Sequence, residues 1–96
     1  MVWNIASTNT FSKEIKKFKK NKELLDALEN KIKRLKENPE NVGGYLSGRL
    51  HGLKATRIIK KFRLVFKINN QENTVYLAGI DHRKYDYENF DNESLE

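Results

Sequence analysis

Cysteine is absent from the 96 residues, and proline, methionine and tryptophan occur once each. Without cysteine there can be no disulfide and no thiolate metal site. Acidic residues are the minority, 13 against 19 lysines and arginines, for a formal net charge of +6. No apolar run approaches the roughly 20 residues that a membrane-spanning helix needs. The opening MVWNIAST has neither a basic start nor a long apolar core, so no secretory signal is expected, and the cytoplasm is the expected location. No serine–histidine–acid set, phosphate-binding P-loop or dinucleotide fingerprint is present. Two isolated histidines, even with Asp81 beside His82, do not supply the donors of a metal centre, so neither metal nor cofactor is expected.

What is present is charge and a compact α+β pattern. Charged residues make up 33% of the chain and hydrophobic ones 38%, below the usual globular share. The length suits one small domain over residues 1–96, with 91–96 expected to be disordered or in part a cloning scar. The basic balance favours an anionic partner: nucleic acid, an acidic protein segment or an anionic surface.

Val2 to Ala6 reads as a first strand around Trp3 and Ile5. Thr8 or Thr10 then offers an N-cap. Phe11, Ile15 and Phe18 recur at helical spacing, with lysines opposite. Asn21 caps a second helix, Lys22 to about Glu37, whose stripe is Leu25, Leu28, Ile32 and Leu35 with Leu24 beside it. Asn38-Pro39 ends it. The short connection predicts an antiparallel helical hairpin. The lysine runs on these helices read as a solvated face, with nonspecific phosphate contact as a second role.

After the loop ENVGG the period changes to two. Tyr45 to Leu50 reads as irregular extended chain. Ala55–Ile59, Phe62–Ile68 and Thr74–Ile80 read as strands, with a polar hairpin loop at residues 69–73. The expected fold is α+β: an N-terminal strand, a helical hairpin, then a three- to four-stranded antiparallel meander. The helices should cover one sheet face and leave the other partly open to solvent.

Alternation puts Phe62, Leu64, Phe66 and Ile68 on the core face, so Arg63 points outward. Arg57 depends on the turn. A two-residue turn at Lys60-Lys61 sets it opposite Leu64, on the buried side. A three-residue loop, Ile59 to Lys61, sets it opposite Arg63. The second register is favoured, because an unpaired buried charge is costly. On the last strand, alternation groups Val75, Leu77, Gly79, Asp81 and Arg83 on one face, with Tyr76, Ala78, Ile80 and His82 on the other.

Three arginines and a tyrosine stand out among these strands: Arg57, Arg63, Arg83 and Tyr87. Guanidinium forks fit phosphate oxygens, and a phenol can stack on a base or pass a proton. The plainer reading of Arg63 and Arg83 is ion pairing with Asp81, Asp86 or Glu88. Tyr85 competes with Tyr87 for any tyrosine role.

The order of these features resembles the RelE/ParE superfamily of toxins from toxin–antitoxin pairs, over nearly the whole chain. Leu50 and Gly52 precede Arg57-Ile58, then Phe62-Arg63-Leu64-Val65-Phe66, and the ending His82-Arg83 with Tyr87 completes the pattern. The resemblance implies a RelE-like fold and a ribosome-dependent endoribonuclease that cuts mRNA in the A site. There the 2′-hydroxyl attacks the adjacent phosphate and leaves a 2′,3′-cyclic end. By the same resemblance Arg63 stabilises the phosphorane, Arg83 is a phosphate ligand or general acid, and Tyr87 is the general base or a stacking group. Arg57, with Lys60, Lys61, His82 and Lys84, is expected to contact RNA. The partners implied are an acidic antitoxin, the ribosome and mRNA, with a heterotetramer as the assembly; no membrane partner is expected. Two departures bear on this: Ile59 stands where many ribosome-dependent members carry a second basic residue, and the turn before Arg63 is a residue short and lacks glycine. The alternatives are a gyrase inhibitor of the ParE kind, without nuclease activity, or an inactive relative that only binds its antitoxin.

Overall fold

In the computed structural model, which describes residues 2–82, the chain runs β1 (Asn4–Ser7), α1 (Asn9–Lys17), α2 (Lys22–Glu37), β2 (Gly44–Tyr45), β3 (Lys54–Ile59), β4 (Phe62–Asn69) and β5 (Thr74–His82). Short 3-10 turns occupy Pro39–Asn41 and Gly48–Leu50. Both helices start at polar caps. The Thr8 hydroxyl accepts from the Phe11 N–H at 3.2 Å, and the Asn21 side chain accepts from the Leu24 N–H at 3.1 Å. Each satisfies a donor that the first helical turn leaves over. The Thr8 hydroxyl also donates toward the Leu77 and Ala78 carbonyls, at 2.9 and 3.1 Å, which ties the start of α1 to β5. Asn38 and the proline after it close α2 as expected.

The sheet order is β1-β5-β4-β3-β2. β2 to β5 form the antiparallel meander, and β1 joins the other edge parallel to β5. The α+β architecture thus matches the expectation. The strand borders differ by at most two residues. The first strand is Asn4–Ser7 rather than Val2–Ala6, and β5 runs on to His82. The 45–50 segment forms only the end of a two-residue strand and a 3-10 turn.

Phe11, Leu28, Leu35, Leu64, Phe66, Val75, Leu77 and Ile80 make the main core between the helices and the sheet. Truncating a fully buried ring such as Phe66 would cost about 3–5 kcal/mol. The opposite sheet face is open in part, as expected, with Arg57 and Lys67 exposed on it, and covered elsewhere. Leu46, Leu50 and Leu53 fold over Ala55, Val65 and Ala78 and build a second small core there.

Two bulges correct the simple alternation. On β5, Val65 pairs with Gly79 but Phe66 pairs with Leu77, so Ala78 is an extra residue. Beyond it the faces exchange: Ile80 joins the main core, and Asp81 lies on the face of Arg63. The expected grouping of Asp81 with Val75 and Leu77 is therefore wrong past Ala78. The second bulge is at Ile58 on β3, where Arg57 pairs with Arg63 and Ile59 with Phe62.

Candidate functional site

The β3–β4 hairpin decides where the arginines go. Its turn is the two-residue one, Lys60-Lys61, with Lys60 in the left-handed region at φ 53°. A tight turn alone would have driven Arg57 to the buried side. The Ile58 bulge adds a residue and restores Arg57 opposite Arg63. The favoured pairing is thus present, but through a bulge and not through a three-residue loop. A three-residue loop would pair Ile58 with Phe62; Ile59 pairs with Phe62 instead.

Arg57 and Arg63 share the sheet face that looks away from the helices; Arg57 is exposed and Arg63 half-buried. Directly opposed residues in an antiparallel pair stand about 4.5–5.5 Å apart at the backbone. Like charges at directly opposed positions of a sheet repel one another. Their arrangement is relieved by an anion placed between or beside them. Behind them on the same face lie Ala55 and Val65, paired and buried under the 46–53 loop. The arginines are therefore bounded on one side by an apolar wall. The loop's exposed Arg49 and His51 flank the buried Leu50.

On the β5 side of Arg63 stands Asp81, its direct cross-strand neighbour and only 2% exposed. The plainer sequence reading has Asp81 as one of three surface partners for Arg63. The register brings it to Arg63's side, but as a buried group. Two cations and one carboxylate leave this patch with one excess positive charge. Among the described residues no buried side-chain polar atom lacks a hydrogen-bond partner. Nor do three histidine, aspartate or glutamate side chains gather there as metal ligands.

Lys60 and Lys61 do not join the arginine face as a unit. The Lys60 amine turns toward the helix side, 3.5 Å from a Glu23 carboxylate oxygen. Lys61 is exposed at the hairpin tip. The side chain of His82, and the whole of Arg83, Lys84 and Tyr87, lie outside the described residues.

One charged residue that alternation leaves unremarked is Lys54, at the start of β3 and 2% exposed. Its Nζ donates to the Pro39 and Glu40 carbonyls at 3.2 and 2.7 Å. The same amine lies 4.8 Å from the Tyr45 ring centre and 5.9 Å from that of Phe66. Tyr45 in turn donates to the Glu40 carboxylate at 3.0 Å. That hydrogen bond, with partial desolvation and the negative charge of Glu40, raises the Tyr45 phenol above its ordinary value. The cluster fixes the 39–45 segment against the strand that carries Arg57.

A family model for the ParE toxin of type II toxin–antitoxin systems (parDE) matches residues 5–87. Among solved structures, the chain is similar to the toxin–antitoxin complex RelBE2 from Mycobacterium tuberculosis, at 25% identity and a TM-score of 0.73, covering 86% of this chain and 100% of that one. It is also similar to the heterotetrameric YoeB–YefM toxin–antitoxin complex from Staphylococcus aureus, at 23% identity and a TM-score of 0.69, covering 85% and 98%. YafQ from E. coli shares the fold at 14% identity, with a TM-score of 0.73 and coverage of 88% and 98%. A comparison with curated proteins finds no match.

Proposed function

This chain belongs to the ParE toxins of type II toxin–antitoxin systems, and from that premise we propose that it is an endoribonuclease toxin cutting mRNA in the ribosomal A site. The observation that carries this reading is the pairing of Arg57 with Arg63 on one sheet face. In the proposed reaction the 2′-oxygen attacks the adjacent phosphorus as its hydroxyl proton leaves. The 5′-oxygen of the next nucleotide departs and takes up a proton, and a 2′,3′-cyclic phosphate remains. Negative charge grows on the non-bridging oxygens as the phosphorane forms. Fixed guanidiniums at that point stabilise it more than the ground state. Arg63 is the phosphorane ligand in this reading, and Arg57, its cross-strand partner, contacts the same phosphate. Arg83 and Tyr87 are the proposed acid and base, Arg83 serving otherwise as a phosphate ligand and Tyr87 as a stacking group. His82 and Lys84 add RNA contacts. The site is silenced by an acidic antitoxin, with two toxins and two antitoxins in the assembly.

The match to the ParE description favours a second reading, a gyrase inhibitor that cleaves no RNA. The two part cleanly in the test. Purified toxin is added to a translation extract programmed with one defined mRNA, and in parallel to a gyrase supercoiling reaction. Cleavage at A-site codons, reduced about 100-fold or more by Arg63→Ala, is expected. Intact mRNA alongside blocked supercoiling would replace the nuclease reading with the gyrase one.

A further inference from the structure

The α1–α2 connection and the β3–β4 turn meet at one end of the molecule. Phe18, which closes α1, sets its ring edge-on against Phe62 at 5.2 Å. Lys60 reaches Glu23, the second residue of α2, at 3.5 Å. These two contacts bring together lysines that are far apart in sequence: Lys19, Lys20 and Lys22 from one reversal, Lys60 and Lys61 from the other. All five are exposed. Glu23 and, one helical turn on, Asp26 are the acids at this end, so five lysines less two carboxylates leave a charge of +3. The Lys60–Glu23 pair is itself open to water, with side chains 70% and 61% exposed. Such a pair is weak and screened, and gives way readily to a stronger anion.

We propose that this lysine cluster is a docking surface for the sugar–phosphate backbone of a folded RNA. The Lys60 amine points to the helix side of the sheet, so the surface is separate from the Arg57–Arg63 face. Lysine heads are compact charges on flexible stems; they meet phosphates without demanding one geometry and without reading sequence. The apolar groups of this end, Phe18 and Phe62, are half-buried and turned on each other. The exposed large hydrophobics among the described residues are Val2 and Tyr45, on other elements. A membrane surface or an amphipathic acidic peptide would want an apolar anchor here. A nucleic-acid backbone wants none. The proposal rests on this charge cluster and stands whether or not the protein cuts RNA.

The test is fluorescence anisotropy of a short labelled RNA hairpin with the whole protein across a salt series. Lys19→Gln/Lys20→Gln/Lys22→Gln should lower affinity about 100-fold at ~0.1 M salt and flatten the slope of log K against log salt by about 2. Lys60→Gln/Lys61→Gln should flatten it by about 1.5. The control is Lys33→Gln/Lys36→Gln, whose positions lie about 15–20 Å farther along α2; it should change affinity less than threefold. Circular dichroism melts establish that each variant folds, and single substitutions replace any set that does not. Equal losses from the control and the cluster would overturn the proposal, as would an unchanged salt slope. So would binding of phosphatidylserine vesicles or a glutamate-rich peptide as tight as that of the RNA, with the same sensitivity to these lysines.

Discussion

Lys54 is the residue whose replacement gives the sharpest stability test. Its ammonium is buried, yet two backbone carbonyls accept from it and two aromatic rings face it. Lys54→Met keeps the stem and removes the head. The Pro39 and Glu40 carbonyls are then left without that donor, and a backbone acceptor cannot be substituted away. Hydrogen bonds to a charged group contribute about 1.5–3 kcal/mol each, part of which the removed burial of charge returns. The net expected loss is about 2–4 kcal/mol. A chain of this length has roughly 5–14 kcal/mol in all, so the midpoint of thermal unfolding should fall by about 10–25 °C. Lys54→Ala also empties the space under Tyr45 and Phe66 and should cost about 1–2 kcal/mol more. Urea and thermal melts of both variants give the two numbers. A Lys54→Met protein within about 0.5 kcal/mol of wild type, or more stable, would refute the idea that this ammonium fixes the 39–45 segment.

Two further outcomes follow from neighbouring geometry. Gly43 has φ +66°, and a Cβ there would stand 2.2 Å from the Ala55 carbonyl oxygen, whereas Gly48 at φ +67° faces open space. Gly43→Ala should cost at least about 2 kcal/mol and Gly48→Ala only about 1, read as urea midpoints; equal losses would mean that the close approach is immaterial. The Tyr45 phenol donates to Glu40, so it should titrate above 10.0 by ultraviolet absorbance, and Glu40→Gln should bring it down. Its folded value is raised, so this stabilisation is present below the unfolded value and is lost as pH rises through the folded one.

The parts of the fold legible in the sequence are those set by local periodicity and caps. The α2 borders, Lys22 and Glu37, follow from Asn21 and from Asn38-Pro39. The outward face of Arg63 follows from the alternation of Phe62, Leu64 and Phe66. Bulges have no such signature. At Ile58 and Ala78 one extra residue reverses every side chain beyond it, and only partner-strand packing selects the position. That is why strict alternation groups Asp81 with Val75 and Leu77, whereas it stands across from Arg63. The wall over Val65 was hidden for a related reason, since Leu46, Leu50 and Leu53 lie in a segment without a period. Lys54 runs against the ordinary exposure of lysine, and only the turn at Pro39–Asn41 supplies the carbonyls that make its burial tolerable. The third arginine and the tyrosine of the candidate site fall in the stretch beyond residue 82.

The central claim is that Arg57 and Arg63 act on the same phosphate. A double-mutant cycle on single-turnover mRNA cleavage, with Arg57→Ala, Arg63→Ala and both together, measures it directly. Shared action predicts that the double variant loses less than the product of the two single losses, with a coupling of about 1 kcal/mol or more. Strictly multiplicative losses, or a wild-type rate in either single variant, would contradict it.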